Sequence, residues 1–321
     1  MKIVVLDHPR ENPGEIDWSV LNQYGEATVH SRVPVDQLAE AIGDAEIVFL
    51  NKSPLTREVL DACPNIKFIS VIATGYNTVD VAAAAERGIP VANVPSYGTA
   101  AIGQHAIALL MEITNHVAYN DSEVRKGRRE SAGDWCFWDY PSIELENKTM
   151  GIIGLGRIGQ SVARVALGFG MKVIAHDQYE SDEMKALGIR YVDLDTLLAS
   201  SDVISLHCPL FESTKKMINR ETIAKMKDGV ILINNSRGAL IDEPALAEAL
   251  KSGKIYAAGL DALDNEPPAP DHPLLNAPNC FITPHISWAA IECRQRLVDY
   301  SLDNLKAYLD GKPTNIVNGV L

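Results

Sequence analysis

Residues Gly151–Gln160 read GIIGLGRIGQ, with Gly154, Gly156 and Gly159 in G-x-G-x-x-G spacing. A short apolar run, Met150–Ile153, precedes the glycines, and a helical pattern, Gly159–Phe169, follows them. Glycines so placed permit a tight turn, close backbone approach to a pyrophosphate and tight packing of helix on strand. Free N–H groups at the helix start then face the anion. The next apolar run, Val173–His176, ends at Asp177, 18 residues beyond Gly159. A carboxylate there accepts hydrogen bonds from ribose hydroxyls and repels a 2′-phosphate. Gln178 and Tyr179 follow, with no Arg to receive such a phosphate. The stretch therefore predicts a dinucleotide-binding unit with NAD, and Asp177 disfavours NADP. FAD and S-adenosylmethionine are the other ligands a loop of this kind can serve.

Outward from this loop, apolar runs alternate with helical patterns. Candidate strands are Ile3–Leu6, Ile47–Leu50, Phe68–Ala73 and Val91–Val94, and then Met150–Ile153, Val173–His176, Val203–His207, Val230–Asn234, Ala257–Leu260 and Phe281–Thr283. Unbroken β-branched runs are how strands buried on both faces of a parallel sheet read. The pattern predicts an α/β chain of two doubly wound parallel-sheet domains with a cleft between them. The expected division is 1–98 plus 288–321 for one domain and 99–287 for the nucleotide domain. Between the strand sets, TAAIGQHAIALLMEITNHV reads as one long apolar helix from Thr99 to Val117. A last helix, Glu292–Leu309, carries Leu297, Leu302, Leu305 and Leu309 on one stripe and is expected to return to the first domain.

The chain has 321 residues, natural for two domains, and a net charge of −13. That charge repels nucleic acid and anionic membranes, so neither is an expected partner. No stretch approaches a membrane span, and the N-terminal apolar run is too short for a signal peptide. The five cysteines are scattered without CxxC spacing. This fits a cytoplasmic protein without disulfides or a structural metal.

Three stretches end strands on what should be one edge of the nucleotide sheet, where ligands bind in α/β folds. LINNSRGALID places Arg237, AAGLDALDNEPP places Asp261 and Glu266, and FITPHISW places His285. Arg suits bidentate binding of a carboxylate, and His exchanges protons near neutral pH. A carboxylate beside the imidazole fixes its orientation. Each has a plainer reading. Arg237 can start a helix in an ion pair with Asp242 or Glu243, Glu266 can be an exposed loop acid, and His285 can bond backbone alone. Together at one sheet edge they point to catalysis.

The whole length resembles the D-isomer-specific 2-hydroxyacid dehydrogenases. The stretches that carry this are GIIGLGRIGQSVARVALGFGMKVIAHD, ISLHCPLFESTKKMIN, ILINNSRGALIDEPALAEAL, GLDALDNEP and PNCFITPHISW. The resemblance implies a flavodoxin-like substrate domain beside a Rossmann NAD domain, with Arg237, Glu266 and His285 as the catalytic triad. It implies that Arg157 and Ile158 meet the pyrophosphate and that His207, Cys208 and Pro209 form a wall on the adenine side. Read without the resemblance, His207-Cys208 also suggests a thiol nucleophile or metal pair. Asn235, Ser236 and Asp261 are implied at the nicotinamide end, with Thr74 also near the cofactor. Thr74 and Gly75 are implied on the substrate carboxylate, beside Arg237 and His285, and Lys52, after the preceding strand, reads as added positive charge for it. For Lys52 the alternative is a plain surface lysine.

VPSYGTAAIGQHAIALLMEIT and WCFWDYPSIEL resemble the glycerate dehydrogenase (hydroxypyruvate reductase) branch. The expected reaction is NADH-dependent reduction of hydroxypyruvate to D-glycerate, with glyoxylate, pyruvate and phosphohydroxypyruvate as alternative acids. Trp288 would limit substrate size. The chain stops at Leu321, where phosphoglycerate dehydrogenases often continue into a regulatory domain. An NAD-sensing, corepressor-like binding protein is the competing class. The apolar Thr99–Val117 helix would be costly to expose. A homodimer through the 99–140 region is therefore expected, and the resemblance implies that Trp135, Phe137 and Trp138 lie near its interface.

Overall fold

The computed structural model describes residues 1–7, 17–131 and 133–320. Positions 8–16 and 321, within the first expected domain, and position 132, within the expected dimer region, lie outside the described residues. Two compact units are present, one of Met1–Gly98 with Ala289–Leu321 and one of Thr99–Trp288.

In the first unit, strands β1 (Lys2–Val5), β2 (Glu26–Val29), β3 (Ile47–Leu50), β4 (Phe68–Val71) and β5 (Val91–Ala92) form a sheet in the order β2-β1-β3-β4-β5. All four pairings are parallel. IVFL of β3 and FISV of β4 are buried throughout, as their unbroken apolar runs require. Strand β2, EATV, is absent from the apolar runs of the sequence because it is an edge strand with no residue fully buried.

The helix Ile291–Leu309 belongs to this unit and buries Cys293, Leu297, Val298 and Leu305. Its apolar stripe is narrower than the leucines suggest, for Leu302 is only half-buried and Leu309 is exposed. Tyr308 stacks on Phe68 of β4 at 4.5 Å. Asn304, 1% exposed, sits deeper than any leucine pattern foretells. Its Nδ2 donates to the Asn93 carbonyl at 2.9 Å, and its Oδ1 accepts from Asn315 at 2.8 Å. Asn93 in turn donates to the Thr74 carbonyl at 2.8 Å. The last helix thereby fixes the loop that follows β4.

In the second unit, β6 (Thr149–Ile153), β7 (Lys172–His176), β8 (Arg190–Tyr191), β9 (Val203–Leu206), β10 (Val230–Asn234), β11 (Ile255–Leu260) and β12 (Cys280–Ile282) form a sheet in the order β12-β11-β10-β9-β6-β7-β8. Every pairing is again parallel. The chain winds outward from β6 to β8, then restarts at β9 on the other side of β6. A crevice for a ligand opens at such a reversal, beyond the carboxyl ends of the strands. Strand β8 is a two-residue edge strand, too short to announce itself.

The helix expected to run unbroken to Val117 stops at Asn115. His116 turns left-handed at φ 49, and a separate helix covers Val117–Arg125. The Thr99–Asn115 helix buries Ala106, Ile107, Leu109, Leu110 and Ile113, packing on the Arg157–Gly168 helix, β10 and β11. Its apolar face is therefore covered within its own unit. The reason for expecting a second chain over it is corrected accordingly.

Replacing Asn304 with Leu should lower stability by about 1–3 kcal/mol, because the buried Asn93 carbonyl and the Asn315 amide lose their partner. A lower melting temperature in calorimetry checks this; an unchanged one would mean that the asparagine bridge adds nothing.

Candidate active site

The glycine loop fits its expected role at three separate points. Gly154 follows β6 with φ +91. A Cβ there would lie 2.5 Å from the Cys208 nitrogen and 2.7 Å from the His207 carbonyl carbon. Glycine is what lets the end of β6 meet the end of β9 where the sheet order reverses. Gly159 packs as closely, since its Cβ would fall 2.2 Å from the Gly154 oxygen. Gly156 differs, because a Cβ there would meet nothing within 4 Å. The protein itself does not demand glycine at that position. Gly156 caps the Arg157–Gly168 helix with no side-chain hydrogen bond, so the first N–H groups of the helix stay open. An open cradle that a side chain would fill, above a bare helix start, fits the pyrophosphate of a dinucleotide.

Asp177, after β7, braces this loop. Its Oδ2 accepts from the Leu155 N–H at 2.6 Å, and its Oδ1 accepts from the Tyr179 N–H at 3.1 Å. A carboxylate has about four acceptor positions, so capacity is left for ribose hydroxyls. On the other side of the reversal, His207 Nε2 lies 2.8 Å from Ser205 Oγ. Burial pushes the His207 imidazole down to about 4. Cys208 is 8% exposed, and burial chiefly, with the Asp177 charge adding, pushes its thiol up to about 11. A buried, protonated thiol beside a neutral imidazole suits a wall and not a nucleophile. Pro209 is exposed beyond it. Among the described residues, no group of three or more His, Cys, Asp or Glu could hold a metal.

Arg237, Glu266 and His285 follow β10, β11 and β12, three neighbouring strands. Asn234 shapes the first of these strand ends. Its Oδ1 accepts from the Ser236 N–H at 3.1 Å, and its Nδ2 donates to the Arg237 carbonyl at 2.9 Å. The Arg237 guanidinium is exposed and donates to the Ser236 carbonyl at 2.8 Å. It forms no ion pair with Asp242 or Glu243; Asp242 instead caps the next helix by accepting from the Ala245 N–H. Ser236 Oγ donates to the Cys208 carbonyl at 2.8 Å, tying this turn to the end of β9. Asn235 donates to the Ile102 carbonyl at 2.8 Å, and its buried Oδ1 has no protein partner.

His285 is held through one ring nitrogen and through its backbone. Its Nδ1 is 2.7 Å from Glu266 Oε2, and Glu266 Oε1 accepts from the Leu263 N–H at 2.9 Å. Glu266 is therefore not merely a loop acid, and His285 bonds more than backbone. The residue takes the left-handed conformation, φ 55, and its carbonyl accepts from Trp288 Nε1 at 2.9 Å. Asp261, 1% exposed, holds the loop in that shape. Its Oδ1 accepts from Thr283 Oγ1 at 2.6 Å and the Ile286 N–H at 2.8 Å. Its Oδ2 accepts from the Ser287 N–H at 2.7 Å and from the Ser287 hydroxyl. His105 Nε2 lies 3.0 Å from Thr283 Oγ1 and backs the same cluster. All four donors to Asp261 come from residues 283–287.

In the first unit, Thr74 is exposed and its hydroxyl donates to the Val94 carbonyl at 2.9 Å. Gly75 beside it is half-buried. Lys52 is exposed and has no ion pair among the described residues. Asp7 shapes its loop, accepting the N–H groups of Asn51, Lys52 and Ser53 at 2.8, 2.9 and 3.0 Å. Asp7, Asn234, His105 and Ser287 were not among the sequence candidates. The Asn-Asn pair at a strand end was a readable turn signal for Asn234. The link from His105 to Thr283 spans 178 residues and carried no local signal.

Residues 98–287 match the family described as D-isomer specific 2-hydroxyacid dehydrogenase, NAD binding domain. A hydroxypyruvate reductase of Blautia hydrogenotrophica is 56% identical over 99% of this chain and 100% of its own length. A glycerate dehydrogenase of Methylorubrum extorquens is 38% identical over 98% of both chains. The apo-structure of D-lactate dehydrogenase from Escherichia coli superposes with a TM-score of 0.83 at 31% identity, covering 97% of this chain and 98% of that one.

The folded His207 sits well below its ordinary value of 6.5. The unfolded chain therefore binds more protons between pH 6.5 and 4. The stability that comes from holding this ring neutral is complete above that window and is lost as pH falls through it, at up to about 1.4 kcal/mol per pH unit. Urea unfolding at pH 7, 6 and 5, run beside His207→Gln, measures it. A variant with the same pH slope as wild type would remove His207 from the account.

Proposed function

The chain belongs to the D-isomer-specific 2-hydroxyacid dehydrogenases, and from that premise we propose that its substrate pair is hydroxypyruvate and D-glycerate. It is an NAD-dependent oxidoreductase of 2-oxo and 2-hydroxy acids. The names of the two full-length relatives support hydroxypyruvate. The observation that carries the chemistry is the His285–Glu266 pair at 2.7 Å on a loop clamped by Asp261.

The Gly154–Gly159 loop and Asp177 would hold NADH, which would supply the hydride that reduces the ketone and leave as NAD. Arg237 holds the substrate carboxylate and draws electron density from the ketone oxygen. His285, its Nδ1 occupied by Glu266, presents Nε2 to the substrate and gives its proton to the developing alkoxide. Hydride and proton together convert C=O to CH–OH. In the oxidative direction neutral His285 takes the hydroxyl proton. Lys52, Thr74 and Gly75 of the first unit are proposed as further carboxylate-binding groups, and Thr74 as a cofactor contact. Asn235 and Ser236 are assigned to the nicotinamide end, and His207, Cys208 and Pro209 to the adenine side. Asp177 is assigned to the ribose and to rejection of NADP. The protein is proposed to act as a cytoplasmic homodimer whose contact uses the exposed Val117, Val124, Trp135 and Trp138.

NADH consumption with hydroxypyruvate, glyoxylate, pyruvate and 3-phosphohydroxypyruvate should show the highest kcat/KM for hydroxypyruvate. A stronger preference for any of the other three would overturn the substrate assignment. His285→Asn keeps a residue that tolerates the left-handed backbone. It should lower kcat by about 10²–10⁴-fold while NADH still binds. Turnover near wild type would refute the acid–base role. Asp177→Ala should raise the ratio of NADPH to NADH use by roughly 10-fold or more, the scale of one lost charge repulsion. An unchanged ratio would remove Asp177 as the discriminator.

A further inference from the structure

Glu243 opens the helix Glu243–Ser252, where an acid ordinarily sits in water, yet it is only 7% exposed. Burying a carboxylate is costly unless its oxygens are paired. Here both are. Oε1 accepts from the Asp264 N–H at 2.9 Å, and Oε2 lies 2.9 Å from His272 Nε2. The two contacts bracket Glu266, two residues after Asp264 and six before His272. Between them the chain runs NEPPAPD, stiffened by Pro267, Pro268 and Pro270. Gly238, next to Arg237, presses on the same segment, since a Cβ there would lie 1.9 Å from the Leu263 carbonyl carbon and 2.1 Å from the Asp264 nitrogen. Cys280 of β12 also feels the Glu243 charge, and burial first, then that charge, pushes its thiol up to about 12, so it adds no charge of its own.

We propose that Glu243 and His272 form a second His–Glu couple, a positioning pair that clamps the Asp264–His272 segment and so holds Glu266 against His285 Nδ1. Neither residue touches the substrate in this role. The inference deepens the catalytic reading above and rests on it.

A double-mutant cycle on the full-length enzyme tests it, with NADH binding followed by fluorescence. Glu266→Gln should lower kcat by about 10²-fold. Glu243→Gln keeps an acceptor for Asp264 but loses the pairing to His272; it should lower kcat by about 10-fold and leave NADH affinity within about twofold. The double variant should be no slower than Glu266→Gln alone, because the clamp has nothing left to position. If the two effects multiply, or if Glu243→Gln turns over like wild type, the positioning role is overturned. If Glu266→Gln itself keeps full activity, the catalytic reading fails first and this one with it. Should the Glu243 variant not fold, His272→Ala takes its place in the cycle. His272→Gln, which still donates to Glu243, should then recover most of the loss, and a failure to recover also overturns the pair.

Discussion

Asp261 is the carboxylate on which the site depends. A charge with 1% exposure survives only where donors replace water, and four do so within residues 283–287. Those donors lie on both sides of His285, so compensating the buried charge forces the loop into one shape. The left-handed backbone of His285 is part of that shape, and the surrounding bonds hold it. The ring then meets Glu266 without searching for it. A histidine on an unbraced loop would spend its encounters with substrate in unproductive orientations.

The same logic runs along the strand ends. Near the candidate side chains, short polar residues brace the backbone of the turns. Asn234 bonds Ser236 and Arg237, Asp177 bonds Leu155 and Tyr179, and Asp7 bonds Asn51 to Ser53. In all three a short polar side chain at a strand end bonds the turn after its own strand or after the neighbouring one. The glycines do the complementary work by removing atoms. Gly154 lets two strand ends meet at the reversal, and Gly238 lets the Arg237 turn press on the segment leading to Glu266. Preorganisation here comes from main-chain bonding, which is stiff, and not from surface ion pairs, which are weak.

Much of this was legible in the chain. Buried parallel strands are continuous apolar runs, so ten of the twelve strands among the described residues could be placed from hydrophobicity alone. The two missed, β2 and β8, are edge strands that need no such run. The break at His116 was hidden because the helical periodicity continues past it, while a single left-handed residue leaves no mark on hydrophobicity. The apolar Thr99–Asn115 helix pointed to cover by a second chain, whereas its own unit covers it, for a related reason. Apolar composition says that a face is buried but not what buries it.

What the sequence determined by itself was the kind of fold, the glycine loop with its acid, and which Arg, Glu and His stand at neighbouring strand ends. Those rest on local rules, namely periodicity, turn chemistry and the spacing of motifs. What only the tertiary structure decided was which groups hold them. Asp261 with Ser287, Asn304 with Asn93, and Glu243 with His272 join residues far apart in the chain. Whether a buried polar group finds its partner depends on how strands and helices stack, and no local pattern encodes that.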